Sequence, residues 1–283
     1  MVTISNELLT ATFSKMGAEL KSLKCGDREY IWNGDPKFWT GSSPVLFPIC
    51  SGLKDDEFIY NGKTYNMSKH GFARRSDFEL ENANGNTATF LLSSKNTPKD
   101  NYPFEYEFRI TYILTGKTVK VEYNIKNLTD GDMYFSVGAH EAYYCPGGSD
   151  NCEVIFEKAE DLDDHILDED FLLTDVTRNF GKNTTVLAIN DSLFDNDCLI
   201  FKNLNSHTVY LHNKTNGDKI KVNFEGFPYT VIWTVPGAEF LCIEPWCGIT
   251  DTANTNKHLP DKEGIVRLNR GESFYRIHSF EII

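Results

Sequence analysis

A carboxylate, Glu244, interrupts the apolar run that opens the stretch FLCIEPWCGITD at residues 240–251. The aromatic and branched residues around it predict a buried strand. Because side chains alternate along a strand, Ile243 should face the core, while Cys242, Glu244 and Trp246 should face the other side. A wet outer face is the simplest interpretation of that second side, but a tryptophan and a cysteine beside a glutamate make an unusual solvent face. We therefore favour the floor of a cleft, where ligands bind among aromatic walls and a few polar groups.

A histidine shows a similar pattern in MYFSVGAHEAYYCPGG, residues 133–148. If this segment is a strand, Val137 lies on its apolar face, and Ser136, Gly138 and His140 lie on the other. The small residues before His140 would leave empty space of the kind that a ligand pocket needs. A core histidine bonded to a backbone carbonyl explains the pattern equally well.

The stretch KHGFARRSDF, residues 69–78, gives a third polar pattern. If it is extended, His70, Phe72 and Arg74 share one face. The arginine fork of donors suits hydroxyl or carboxylate groups, although a surface ion pair is its commoner fate. The three stretches together indicate a polar cleft.

A histidine and a glutamate are the simplest pair for acid–base chemistry. The sequence has no GxSxG elbow, no Walker loop, no GxGxxG after a strand and no HExxH helix. Covalent and nucleotide-dependent reactions therefore lack their usual signatures.

Composition argues against a nucleic-acid partner, a membrane span and a structural zinc site. The chain has 28 basic and 41 acidic residues, a formal charge of −13, and no run of lysine and arginine. A nucleic-acid backbone would be repelled, and no apolar stretch approaches the length of a membrane span. The seven cysteines include no CxxC pair, which favours a reduced, cytoplasmic protein without a structural zinc site.

Turn signals between extended segments predict antiparallel pairing. Asn61-Gly62, Thr115-Gly116-Lys117 and Asn216-Gly217 each separate two strand-like arms, as in β-hairpins. Such an order, with no helix between the arms, predicts an all-β sandwich or barrel. The acidic piece at 157–171 is the one candidate for a helix or a long surface excursion. No linker or repeat interrupts the chain, so we expect residues 1–283 to form one domain.

The sequence resembles the aldose 1-epimerase (galactose mutarotase) family, in the branch of smaller bacterial proteins related to the one encoded in lactose operons. The resemblance runs from end to end through eight segments in the family's order: GAELKSL, EYIWNGDPKFW, SSPVLFPI, HGFAR, VGAHEAYYCP, LFDNDCLIF, GFPYTVIWT and LCIEPWCGITD. It implies a large antiparallel β-sandwich, which agrees with the fold class inferred from the hairpins.

The resemblance also implies an activity and a set of roles. Family members interconvert the α and β anomers of a free aldose, without a metal or nucleotide cofactor, by opening and closing the sugar ring. Glu244 then matches the base that takes the proton of the anomeric hydroxyl, and His140 matches the acid that protonates the ring oxygen. The implied sugar-binding residues are His70, Arg74, Asp197 and, as apolar walls, Trp233 and Trp246. The sequence does not give the oligomeric state.

Two departures from the family pattern concern the substrate. Relatives commonly have an arginine where this chain has Gly52, and many have a proline where it has Glu141. We expect a second carboxylate beside His140 to alter the substrate choice or the pKa of that histidine.

Two other functions stay open from the sequence. A hexose-6-phosphate mutarotase would need cations for the phosphate, and Lys69, Arg74 and Arg75 are the candidates. A carbohydrate-binding or sensing protein would keep the same hydrogen-bonding residues without turnover.

Overall fold

The computed structural model describes residues 1–97 and 99–283. Over these residues the chain is built from strands and short 3-10 helices. In chain order the strands are β1 Val2–Ser5, β2 Leu9–Phe13, β3 Leu20–Cys25, β4 Arg28–Glu29, β5 Glu57–Tyr60, β6 Lys63–Asn66, β7 Glu79–Asn84, β8 Thr87–Ser93, β9 Tyr106–Thr115, β10 Thr118–Asn127, β11 Met133–Phe135, β12 Val137–Gly138, β13 Ala142–Tyr144, β14 Cys152–Glu160, β15 Asp163–Leu167, β16 Leu173–Asn179, β17 Thr184–Ala188, β18 Leu199–Lys202, β19 Thr208–Asn213, β20 Lys219–Asn223, β21 Tyr229–Trp233, β22 Phe240–Cys247, β23 Val266–Leu268 and β24 Ser273–Ile282. The 3-10 helices are Lys54–Asp56, Ala73–Arg75, Ser94–Asn96, Ser149–Asn151, Asp191–Phe194 and Leu259–Asp261.

Two antiparallel sheets form the body of the fold. The larger has nine strands in the order β17-β14-β19-β20-β24-β10-β9-β8-β7. The smaller has the order β12-β22-β21-β18, with β13 also paired to β22. The ring of Tyr143 in β13 lies 5.5 Å from that of Phe280 in β24, so the two sheets face each other across a shared core. The predicted all-β sandwich is confirmed.

Alternation along the strands produces this core. In β9 and β10 every second residue is buried, because one face packs inward and the other meets solvent. All eight residues of β22 are buried, yet their two faces pack differently. Leu241 and Ile243 belong to the main apolar core between the sheets, while Cys242 and Trp246 pack into smaller clusters on the opposite face. The predicted alternation around Glu244 is therefore correct.

The three predicted hairpins are confirmed as β5–β6, β9–β10 and β19–β20. Of the two alternatives for residues 157–171, a helix or a long surface excursion, the helix is wrong, because this piece contains the end of β14 and all of β15. Its acidic residues do not all face water. Asp164 is buried and accepts hydrogen bonds from the backbone N–H of Ile200 and from Arg178, so part of the charge has a structural role.

Among residues 1–97 and 99–283, no helix has the length and apolar character that a membrane crossing needs. Over the same residues the seven cysteines are free thiols. The single domain and the cytoplasmic location stay predictions.

Candidate active site

Strand β22 carries Glu244 at the floor of a cleft of about 220 Å³. The strand lies in the middle of the smaller sheet, between β21 on one side and β12 and β13 on the other. Glu244 pairs with Val231 of β21, and Trp233 pairs with Cys242, so all four side chains share the cleft face. The cleft is lined by Trp39, Ser51, Lys69, His70, Arg74, His140, Asp197, Cys198, Val231, Trp233, Glu244 and Trp246. All the site residues predicted from the sequence are in this set.

His140 lies in the short link between β12 and β13, next to Glu244. Its Nδ1 is 3.5 Å from Oε1 of Glu244. The imidazole stacks on Trp39, with ring centres 5.0 Å apart and planes 22° from parallel, and meets the edge of Trp233 at 5.5 Å. These contacts hold the ring in place without using its polar atoms.

Three buried polar atoms in the cleft have no hydrogen-bond partner among the described residues: Nδ1 of His140, Oε2 of Glu244 and Nε of Arg74. Buried polar atoms are nearly always satisfied in folded proteins, and each exception calls for an explanation. Their convergence on one cleft is what a site for a polar ligand would produce.

His70 and Arg74 reach the cleft by a route that the sequence did not predict. The segment is not extended, because His70 and Gly71 have left-handed φ angles of 67° and 68° and Ala73–Arg75 is a 3-10 helix. The backbone N–H of Ser51 donates to Nδ1 of His70 at 3.1 Å. That bond leaves the hydrogen of a neutral imidazole on Nε2. Burial is the main reason that the pKa of His70 lies well below its ordinary value.

Asp197 precedes β18 in a turn with a left-handed φ of 77°. Its Oδ1 accepts a hydrogen bond from Nε1 of Trp233 at 3.1 Å, and its Oδ2 lies 3.2 Å from Nζ of Lys69. Arg74 donates from Nη2 to the carbonyl oxygen of Lys69 at 2.8 Å. Lys69 and Arg74, the two cationic residues that line the cleft, therefore lie on the same side of it as Asp197.

Burial pushes both members of the His140–Glu244 pair toward their neutral forms. Desolvation is the largest cause of the raised pKa of Glu244, and the charge of Asp197 adds to it. Desolvation also lowers the pKa of His140 to about 3. Each shift disfavours the charged form of the group. Burial therefore favours a proton on the carboxyl group over one on the imidazole.

Sequence and structure comparisons identify the family. The family model described as aldose 1-epimerase matches residues 1–280. The protein LacX of Lactococcus lactis subsp. lactis, plasmid form, is 32% identical over 94% of each chain. The chain belongs to the aldose 1-epimerase family. LacX relatives also confirm the predicted lactose-operon-related branch.

Solved structures of family members share the whole fold. A galactose mutarotase related enzyme from Lactobacillus acidophilus has a TM-score of 0.94 at 31% identity, covering 100% of this chain and 97% of the other. A galactose mutarotase-like protein from Lactobacillus casei has a TM-score of 0.95 at 28% identity, covering 100% of both chains. The architecture described above is thus that of the family.

The expectation that Glu141 would act on the pKa of His140 does not match its position. Glu141 points away from the cleft into the core between the sheets, where its Oε1 lies 2.8 Å from Nε2 of the fully buried His278. The pKa of His140 is lowered by burial and by the charges of Arg74 and Lys69. Glu141 instead contributes to the raised pKa of Glu244.

Gly138 does not leave room for a ligand, as its position before His140 suggested. A Cβ there would meet Cδ1 of Trp246 at 2.5 Å. Because Gly138 has no side chain, the indole ring of Trp246 can pack against its backbone. Nε1 of that ring donates to the carbonyl oxygen of Ala139. The space beside this strand is filled by the protein itself.

Two contributors to the site were missed as such from the sequence. Trp39, which stacks on His140, lies in a loop and has no strand periodicity to place it, although it falls within the family-like segment EYIWNGDPKFW. Ser51 contributes its backbone N–H, which donates to Nδ1 of His70, and a main-chain donor has no side-chain pattern to reveal it. Lys69 was named as a phosphate ligand, whereas its observed partner is Asp197.

One further combination of groups has metal-ligand chemistry. A ring nitrogen of His140, Sγ of Cys242 and a carboxylate oxygen of Glu244 lie within 4.8 Å of one another, and all three residues are buried. Imidazole, thiolate and carboxylate are all zinc ligands.

Proposed function

We propose that this protein is an aldose 1-epimerase, an isomerase that interconverts the α and β anomers of a free hexose through His140 and Glu244. The observation that carries the proposal is this buried pair, 3.5 Å apart, with an unpartnered atom on each side chain. A pair of this kind can accept one proton and donate another within a single cleft.

Ring opening needs two proton transfers. Glu244 takes the proton of the anomeric hydroxyl, and His140 gives a proton to the ring oxygen, so the C1–O5 bond breaks and an aldehyde forms. After the carbonyl group turns its other face, the transfers run in reverse and the ring closes. Proton count and net charge are unchanged over the cycle, which therefore needs no oxidant or reductant.

These roles require the proton of the pair to be on His140 when the sugar is bound. Burial by itself opposes that distribution, because it raises the pKa of Glu244 and lowers that of His140. Sugar hydroxyls that donate to the unpartnered Oε2 of Glu244 would stabilise the carboxylate and lower its pKa. Substrate binding thus moves the proton to the group that must deliver it.

The remaining cleft residues suit a sugar. His70 offers an Nε2 hydrogen, Arg74 offers its unpartnered Nε, and Asp197 accepts hydrogen bonds. The indole rings of Trp39 and Trp233 supply apolar walls for the C–H faces of the ring. A cleft of about 220 Å³ is smaller than the roughly 300–1,000 Å³ of sites for drug-sized ligands, which favours one sugar ring over a longer saccharide.

The cations of the cleft are the observation that favours a second candidate, a hexose-6-phosphate mutarotase. Lys69 and Arg74 line the cleft, but Lys69 is paired with Asp197. The third candidate from the sequence, Arg75, is exposed and outside the lining set. The formal charge of −13 also disfavours an anionic substrate. We therefore place neutral hexoses first.

Polarimetry on freshly dissolved α-galactose, α-glucose and their 6-phosphates tests the proposal. We expect both neutral sugars to reach anomeric equilibrium faster with the enzyme than without it, and faster than the phosphates. A preference of tenfold or more for phosphates, about 1.4 kcal/mol of transition-state discrimination, would establish the second candidate. Sugar binding without acceleration of any aldose would indicate a binding or sensing protein.

A further inference from the structure

The proposed catalytic pair belongs to a set of three metal-ligating side chains, and the anomer interconversion makes no use of the third member, Cys242. We propose that His140, Cys242 and Glu244 bind a thiophilic divalent cation such as Zn²⁺, and that this cation and the sugar exclude each other. The binding part of this inference is independent of the proposed function; the inhibition part rests on it.

The spacing of two ligands already fits one ion. Two donor atoms bound to the same zinc at about 2.0–2.2 Å, with a tetrahedral angle between them, lie roughly 3.3–3.6 Å apart. Nδ1 of His140 and Oε1 of Glu244 are 3.5 Å apart. The thiol of Cys242 completes the set within 4.8 Å, a distance that a small side-chain rotation can shorten.

The same two side chains have unpartnered atoms. Nδ1 of His140 and Oε2 of Glu244 are buried without a hydrogen-bond partner among the described residues. A cation bound between the two residues would satisfy the imidazole nitrogen directly and would offset the cost of burying the carboxylate.

The donor set selects the class of cation. A thiolate and a carboxylate carry two negative charges, which balance a dication in a buried site. Thiolate and imidazole favour zinc and cobalt, whereas magnesium and calcium prefer oxygen ligands. The Cys242 thiol must lose its proton to bind, so binding of the cation releases a proton.

Coordination and catalysis compete for the same lone pairs. A metal on Nδ1 of His140 and on the carboxylate of Glu244 occupies atoms that must accept or deliver protons. Because the metal occupies the atoms that transfer protons, the bound ion should act as an inhibitor that sugar displaces. With three protein ligands, its fourth position would be taken by water.

Cobalt titration of the metal-free protein, without sugar, tests the binding. A thiolate bound to Co²⁺ gives a charge-transfer band in the near ultraviolet. We expect the band in the wild type and its loss on addition of Zn²⁺. Cys242→Ser keeps the shape of the side chain and should remove the band; zinc affinity should fall by at least about tenfold. Cys198→Ala is the matched control, because Cys198 lines the same cleft outside the three-residue set.

The possible results separate clearly. A cobalt band that is lost in Cys242→Ser and kept in Cys198→Ala supports the site. No band in the wild type, a band that survives Cys242→Ser, or one that is lost in Cys198→Ala would each overturn it. Circular dichroism and thermal unfolding establish that each variant is folded, and Cys242→Ala serves as a second variant if serine disturbs the core.

A polarimetric arm tests mutual exclusion. Zn²⁺ should raise the apparent KM for the sugar in the wild type, and Cys242→Ser should be less sensitive by tenfold or more. Zinc binding with an unchanged KM and kcat would overturn the exclusion. If the protein accelerates no aldose, the proposed function fails, whereas the cobalt titration still decides the metal site.

Discussion

Two histidine–carboxylate pairs lie back to back in this fold, and they differ in the distance within the pair and in their surroundings. Adjacent residues, His140 and Glu141, point in opposite directions from the link between β12 and β13. His140 meets Glu244 in the cleft at 3.5 Å. Glu141 meets His278 in the core between the sheets at 2.8 Å. The first distance is beyond a good hydrogen bond, and the second is within it.

The surroundings explain the difference. The core pair is enclosed by aromatic rings, with Tyr123 and Phe227 both within 6 Å of the ring of His278. The cleft pair has aromatic rings on its flanks only, and its remaining side is open to a ligand. Each pair leaves its ring Nδ1 and its carboxylate Oε2 without a hydrogen-bond partner among the described residues. The difference is that the cleft pair lines a cavity that a ligand could enter, whereas the core pair is packed among aromatic rings.

Glu244→Gln should show the largest effect, because it removes a proton acceptor and keeps the shape of the side chain. We expect turnover to fall by roughly 10²–10⁴-fold with similar sugar binding. Thermal stability should be unchanged or higher, since an incompletely partnered buried carboxylate is costly. Thermal unfolding and polarimetry on the same preparation check both parts. A stable variant with near-normal turnover would remove Glu244 from the catalytic role.

Glu141→Gln is the matched substitution in the core pair, and it should reverse the pattern. The carboxyl–imidazole hydrogen bond at 2.8 Å is replaced by a weaker amide–imidazole bond, so we expect a loss of about 0.5–1.5 kcal/mol in the free energy of unfolding. Turnover per folded molecule should stay close to that of the wild type. Urea unfolding and active-fraction-corrected kinetics provide the measurement. A large fall in kcat with unchanged stability would mean that the charge of Glu141, which adds to the raised pKa of Glu244, controls turnover.

Regular strand alternation made Glu244 predictable. Because β22 is an uninterrupted eight-residue strand, the orientation of each side chain follows from its parity. The hairpins were predictable for a similar reason, since short turns between strand arms are local features of the sequence. Local features, however, could not show which wall of the cleft each strand would form.

Long-range contacts explain what parity could not predict. The segment that carries His70 and Arg74 leaves the extended conformation where Gly71 pairs with Phe47 in an isolated bridge, a contact between distant parts of the chain. The space beside Gly138 is filled by Trp246, a neighbour that only the pairing of β12 with β22 brings there. The sequence around Gly138 contains no sign of that pairing. Asp197 was identified only through the family resemblance, since its left-handed turn has no strand pattern.

A pH titration of stability tests whether the cleft histidine is held neutral. His140 has a pKa of about 3 when folded, against 6.5 as its ordinary value. Between these values the unfolded chain binds more protons, so stability falls as the pH falls. Relative to His140→Gln, the wild type should lose about 2 kcal/mol between pH 7 and pH 5. Glu244 acts in the opposite sense, because a raised carboxyl pKa reduces stability as the pH rises.

Urea unfolding of wild type and His140→Gln at matched pH values provides this measurement. Subtracting the two curves cancels the groups that both proteins share. Parallel curves would show that His140 has the same pKa in the folded and unfolded states. They would contradict the lowered pKa of this histidine in the cleft.

The smallest expected effect concerns metal removal. The cleft pair and Cys242 have the donors of a metal site, whereas among residues 1–97 and 99–283 no third ligating side chain joins the core pair. If proton transfer by His140 and Glu244 is sufficient for turnover, exhaustive chelation should leave the epimerase rate unchanged, and added Zn²⁺ should only lower it. Polarimetry before and after dialysis against a chelator checks this, with metal content measured on the same samples. Activity that is lost on chelation and restored by one specific metal would make the ion part of the catalyst and the acid–base assignment incomplete.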